Sequence, residues 1–100
     1  MALSFEWDKR KAESNLKAHG VSFHEATTVF ADPLSLTISD PDHSSMEVRF
    51  LDLGLSYLGR VLVVSYMERG NKIRLISARL ASRNERKQYE ETAYEKGSSF

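Results

Sequence analysis

Apolar positions recur with two different periods along this chain, and the switch falls near residue 34. Before it, Phe5-Glu6-Trp7 reads as a short strand. Asp8 stands where an N-cap belongs for a helix from about Lys9 to His19. Glu13 and Lys17 are spaced i,i+4 in the favourable order, and Gly20 is placed to end the helix in a left-handed conformation. Ser22-Phe23-His24-Glu25 has the form of a capping box. It opens a second helix with Phe23, Ala26, Thr27 and Phe30 on one stripe. Pro33 stops that helix, because the residue before a proline avoids helical backbone angles.

From Leu34 the period is two. Leu34–Ile38 alternates as a half-buried strand does, and Asp40–Ser45 is a polar loop. Glu47–Leu55 is the next strand, and Tyr57-Leu58-Gly59 a tight connection. Arg60–Met67 is so apolar in its middle that it predicts a central strand. Arg69-Gly70-Asn71 turns the chain into a last strand, Lys72–Leu80. Ser82-Arg83-Asn84-Glu85 repeats the capping box and starts a helix to about Glu95. Strand, helix, helix, four strands, helix predicts an α+β fold. Short links make the four strands an antiparallel meander, and helices on one face complete two layers. A chain of 100 residues, 41% apolar, holds one core, so residues 1–96 are expected to form a single domain with 97–100 frayed.

Composition narrows the chemistry. The absence of cysteine removes disulfides, thiolate zinc sites and thiol nucleophiles. No glycine-rich phosphate loop is present, and His19, His24 and His43 lack zinc-ligand spacing, so neither metal nor cofactor is expected. The longest apolar run, Val61–Val64, is far too short to span a bilayer, and no signal peptide pattern opens the chain. A soluble cytoplasmic protein is the expectation.

The net charge is zero, but the charges are segregated. Residues 21–56 carry one basic and six acidic side chains, whereas residues 60–88 carry eight basic and two acidic. That basic block suits either a solvated face or an anionic partner. Within it, Arg74 and Arg79 lie among apolar neighbours on one strand, and guanidinium groups on a rigid strand hold phosphate in a fixed fork. The two are five residues apart, so strict alternation puts them on opposite faces unless a bulge intervenes.

Phe5-Glu6-Trp7-Asp8, Lys11, Asn15, His19-Gly20-Val21-Ser22-Phe23, Phe30, Asp32 and Pro33 resemble, in that order, the start of the BrnT family. His43, Glu47, Arg49 and Gly54 continue the likeness. The run from Ile73 to Arg79, with Ala81, Glu85 and Tyr89, is similar to the family's C-terminal block. The resemblance covers about residues 5–90. It implies a RelE-like fold and a toxin of a type II toxin–antitoxin pair. It also implies metal-independent RNA cleavage that blocks translation. The implied partner is a BrnA-like antitoxin with a ribbon-helix-helix DNA-binding domain, expected as an antitoxin dimer carrying two toxins, with DNA met only through that partner.

RNA cleavage without metal needs a base for the 2′-hydroxyl, an acid for the leaving 5′-oxygen and cations on the phosphate. His43 is the natural proton carrier, and Glu47 suits the base or a group that orients His43. Arg49, two residues on, leaves the strand by the same face as Glu47. Arg74 and Arg79 are the phosphate candidates. Lys72, and Arg83, Arg86 and Lys87 in the first turns of the last helix, are candidates for the RNA backbone. Each also has a plain structural role open to it. His43 suits a loop beside Asp40 and Asp42, Glu47 and Arg49 an exposed ion pair, Arg74 a solvated edge, and Arg79 a cap on the strand-to-helix junction. His19 fits a helix end, His24 the surface, and Trp7, Phe23, Tyr66 and Tyr89 the core. A non-catalytic module that binds nucleic acid or a protein is the rival reading.

Overall fold

A computed structural model describes residues 3–39 and 48–97. Strand β1 (Ser4–Glu6) leads to helix α1 (Lys9–His19) and helix α2 (Phe23–Thr27), which tightens into a 3-10 turn over Thr28–Ala31. Strands β2 (Leu36–Ser39), β3 (Arg49–Leu55), β4 (Val61–Arg69) and β5 (Lys72–Leu80) follow, and helix α3 (Arg83–Gly97) ends the described chain.

The local signals act where they stand. Asp8 accepts from the backbone N–H groups of Arg10 and Lys11, and Gly20 closes α1 at φ 69°. Ser22 caps α2 through the N–H of Glu25. The reciprocal half of that box differs from expectation, because the Glu25 carboxylate turns inward to Arg60 and Ser56. Ser82 and Glu85 complete theirs, side chain to backbone in both directions. β2 begins two residues later than the alternation suggests. Asp32 accepts from the N–H of Leu34 through its side chain and from that of Ser35 through its carbonyl, holding both in a turn. Gly70 has φ 59° as the first residue of the two-residue hairpin loop between β4 and β5, the position a type II′ turn reserves for glycine.

The sheet has five strands in the order β1-β5-β4-β3-β2. The expected meander is its antiparallel part, and the correction is β1, which joins β5 in parallel and makes the sheet mixed. α1, α2 and the 3-10 turn cover one face. There Val21, Phe23, Ala26 and Val29 pack on Leu62, Val64, Tyr66, Ile73, Leu75 and Ala78, with Phe5, Trp7, Phe30 and Phe50 around them. β3 approaches the 3-10 turn so closely at Gly54 that a Cβ there would lie 2.8 Å from Val29. The expectation of all helices on one face is also corrected. Glu85 and Gln88 of α3 lie beside Leu36, Leu53 and Val63 of the second face, while Tyr89 reaches Asp32 beyond the 3-10 turn with a 2.6 Å bond. Among the described residues no helix is long and apolar enough to cross a membrane.

One buried polar group, Asn15, joins helix to sheet, and another, Asp52, ties three strands together. β1 pairs only with residues 72–74 of β5, so β5 runs on past its neighbour. The Asn15 carboxamide of α1 takes over. It donates to the Ala78 carbonyl at 2.8 Å and accepts from the Ala78 N–H at 3.1 Å, as a neighbouring strand would. On the same face, Asp52 accepts from Thr37 and Tyr66 at 2.7 and 2.9 Å. Burial raises the Asp52 carboxyl above the ordinary carboxylate range, and burial and this bond raise the Tyr66 hydroxyl.

Candidate nucleic-acid interface

The site is built by the registers of β3, β4 and β5. Arg49 pairs with Met67, and Met67 with Arg74. Arg74 in turn pairs with Glu6 of β1. One row across the second face therefore reads Arg49, Met67, Arg74, Glu6. The next row outward places Arg69 beside Lys72. The two arginines that flank Met67 are two strands apart, roughly 10 Å at the backbone.

The parity conflict between Arg74 and Arg79 is resolved by a bulge. Ser65 pairs with Ser77 but Tyr66 pairs with Leu75, so Ile76 has no opposite number. The extra residue returns Arg74 and Arg79 to one face. It does not bring them together. Their partners on β4 are Met67 and Val63, about 13 Å apart along the strand.

The two arginines are also held differently. Among the described residues Arg74 makes one ion pair, 3.2 Å to Glu6, with its side chain 28% exposed. Arg79 is gripped at two points by Glu85, at 2.7 and 2.9 Å. The Arg79 guanidinium and the Ser82 N–H hold the Glu85 carboxyl down at about 2, against a 4.5 reference. Glu85 belongs to the capping box of α3, so Arg79 ties strand to helix, the structural role open to it from the sequence. Arg49 is half-buried, and among the described residues its Nε meets no hydrogen-bond acceptor.

The other candidates separate. His43 and Glu47 lie outside the described residues. Lys72 is exposed in the basic rows. Arg83, Arg86 and Lys87 are exposed on the side of α3 turned away from Glu85, Gln88 and Tyr89, so they do not join Arg49 and Arg74. Arg69 was missed by sequence reasoning, although a two-residue hairpin loop necessarily places it opposite Lys72. His19 ends α1, and His24 is exposed with its ring edge-on to Trp7 at 5.0 Å. Tyr66 and Tyr89 spend their hydroxyls on Asp52 and Asp32. Among the described residues no group of three or more His, Asp or Glu side chains is placed to hold a metal ion.

A family model described as "Ribonuclease toxin, BrnT, of type II toxin-antitoxin system" matches residues 7–85. The chain belongs to the BrnT family. The fold is also similar to the crystal structure of the ribonuclease toxin BrnT of Brucella abortus, with a TM-score of 0.60 and 20% sequence identity. That match covers 82% of this chain and all of the other. No curated protein matches the chain. As a BrnT-family member the protein is a toxin of the type II kind, which implies a protein antitoxin as its partner.

Proposed function

We propose that the protein is an endoribonuclease that cleaves RNA without a metal ion and thereby inhibits translation. The observation that carries this reading is the row Arg49-Met67-Arg74 with Arg69 and Lys72 beside it, which concentrates cations at one end of the second sheet face. Arg74, whose one ion pair among the described residues is to Glu6, exchanges that carboxylate for a phosphate oxygen, and Arg49 brings a second, half-buried guanidinium in the same row. The 2′-hydroxyl attacks the adjacent phosphorus, its proton passing to a base, and the 5′-oxygen leaves with a proton from an acid. His43 and Glu47 are our proposed acid and base, on sequence alone. Arg79 acts chiefly on structure, and Arg83, Arg86 and Lys87 meet RNA backbone only beyond the cleavage site.

The partner we propose is a BrnA-like ribbon-helix-helix antitoxin, two toxins to an antitoxin dimer, in the cytoplasm. The test of the activity is incubation of purified protein with RNA in excess chelator. Cleavage that persists is the expected result, and cleavage lost to chelator and restored by magnesium or manganese refutes the metal-free mechanism.

A further inference from the structure

The second face of the sheet is basic on one side only. Its other side, over β2 and β3, is aliphatic. Register places Leu36, Leu53, Val63 and Arg79 in one row and Ile38, Leu51, Ser65 and Ser77 in the next. Between this strip and the first turns of α3 lies a cavity of about 80 Å³, bordered by Leu36, Ile38, Leu51, Leu53 and Val63 with Glu85 and Gln88 at its rim.

Size and chemistry restrict what belongs there. Sites for cofactors and nucleotides occupy about 300–1,000 Å³. This cavity is far smaller and suits one aliphatic side chain. RNA satisfies the basic side of the face but has no aliphatic group for the other. Ile38 is 56% exposed on β2, which ends the sheet order among the described residues. Edge strands are usually blunted by charge or proline, and Leu36-Thr37-Ile38-Ser39 has neither. An aliphatic strip at the end of the described sheet, with Ile38 exposed and cations beyond it, asks for a partner with both characters. The rim carboxylate of Glu85 is already matched by Arg79, so it does not repel an acidic partner.

We infer that this strip docks an amphipathic segment of the protein antitoxin, with an aliphatic side chain in the cavity and carboxylates directed across Ser65 toward Arg74. This rests on the toxin–antitoxin reading. A segment so placed covers the sheet face on which RNA is proposed to bind, so docking and inhibition are one event.

The probe is the purified protein encoded by the small gene adjoining that of the toxin, titrated calorimetrically against the full chain. Ile38→Glu should weaken binding by about 30-fold or more, as loss of a central anchor does. Leu16→Glu, at an exposed position on α1 in the opposite layer, should change it by less than about twofold. Thermal melts establish that both variants fold. Should Ile38→Glu not fold, methyl NMR of the wild-type chain decides, with binding expected to shift Ile38, Leu51, Leu53 and Val63. Wild-type affinity in a folded Ile38→Glu variant, or methyl shifts confined elsewhere, overturns the docking site and leaves the antitoxin reading standing. No binding by the wild-type chain overturns both. A solution dimer of the toxin that Ile38→Glu dissolves assigns the strip to a second copy and overturns the proposal.

Discussion

At the scale of single residues, two arginines of one strand are separated by what holds them. Among the described residues Arg74 has one single-point ion pair and Arg79 a two-point grip by the first turn of a helix. Arg74→Ala should therefore lower RNA cleavage by about 10²–10³ with an unchanged melting temperature, the usual cost of one phosphate-stabilising contact. Arg79→Ala should instead lower the melting temperature, with a smaller loss of rate. Equal kinetic losses in two stable variants would return Arg79 to the catalytic set. Glu85 gives the pH test. Its folded pKa of about 2 lies below the 4.5 reference, so its contribution to stability is complete above pH 4.5 and disappears as pH falls toward 2. Glu85→Gln should be less stable than the wild type at pH 7, and the difference should close by pH 2 in denaturant titrations. Both side chains are partly exposed, so added salt should reduce the difference. Asp52 has the opposite sign, because its burial favours the neutral acid, and it sharpens no acid transition of this kind.

At the scale of elements, the mixed sheet depends on a helix acting as a strand. β1 is three residues long and leaves β5 uncovered toward its C-terminal end. Asn15 closes the gap with both hydrogen-bonding groups of its carboxamide. Asn15→Leu fits the volume but leaves the buried N–H and carbonyl of Ala78 without these partners. Each such group costs about 1–3 kcal/mol, so the variant should lose on the order of 2–6 kcal/mol in urea unfolding. Amide exchange at Ala78 should rise with it. A loss under about 0.5 kcal/mol, the level of a neutral surface change, would show that water replaces the side chain. The residue was visible in the family resemblance, but nothing in its neighbourhood of α1 announced a role 63 positions away.

At the scale of the molecule, a chain of zero net charge keeps its acidic and basic groups in separate stretches, and the fold lays part of the basic stretch across one sheet face. Binding of RNA should therefore depend on salt. With Arg49, Arg69, Lys72 and Arg74 engaged, log K should fall against log salt with a slope of about −3, taking roughly −0.7 per phosphate for a single strand. A 2′-O-methyl RNA, which lacks the nucleophile, allows this to be measured without cleavage. Arg74→Ala should reduce the slope by about 0.7. An unchanged slope would place the RNA elsewhere, with the exposed Arg83, Arg86 and Lys87 of α3 as the next candidates.

The sequence by itself determined the elements and most of their ends. These depend on neighbours a few residues apart: Asp8 and Gly20 on α1, Ser82 with Glu85 on α3, Gly70 in the last hairpin, and the apolar run that makes β4 central. The likeness of ordered motifs also carried the family. Pairing between distant segments was decided only in three dimensions. β1 joins in parallel because its partner lies some 68 residues on, and no local period reports that. α3 lies against the second face because Glu85 finds Arg79 there, while Tyr89 reaches round to Asp32 at the end of the 3-10 turn. The bulge at Ile76 is the clearest case. Alternation counted along one strand puts Arg74 and Arg79 on opposite faces, and only the register against β4 shows that one residue drops out of the count. Which cations share a face is set by the partner strand, because a strand's two faces are defined by what it pairs with and what covers it.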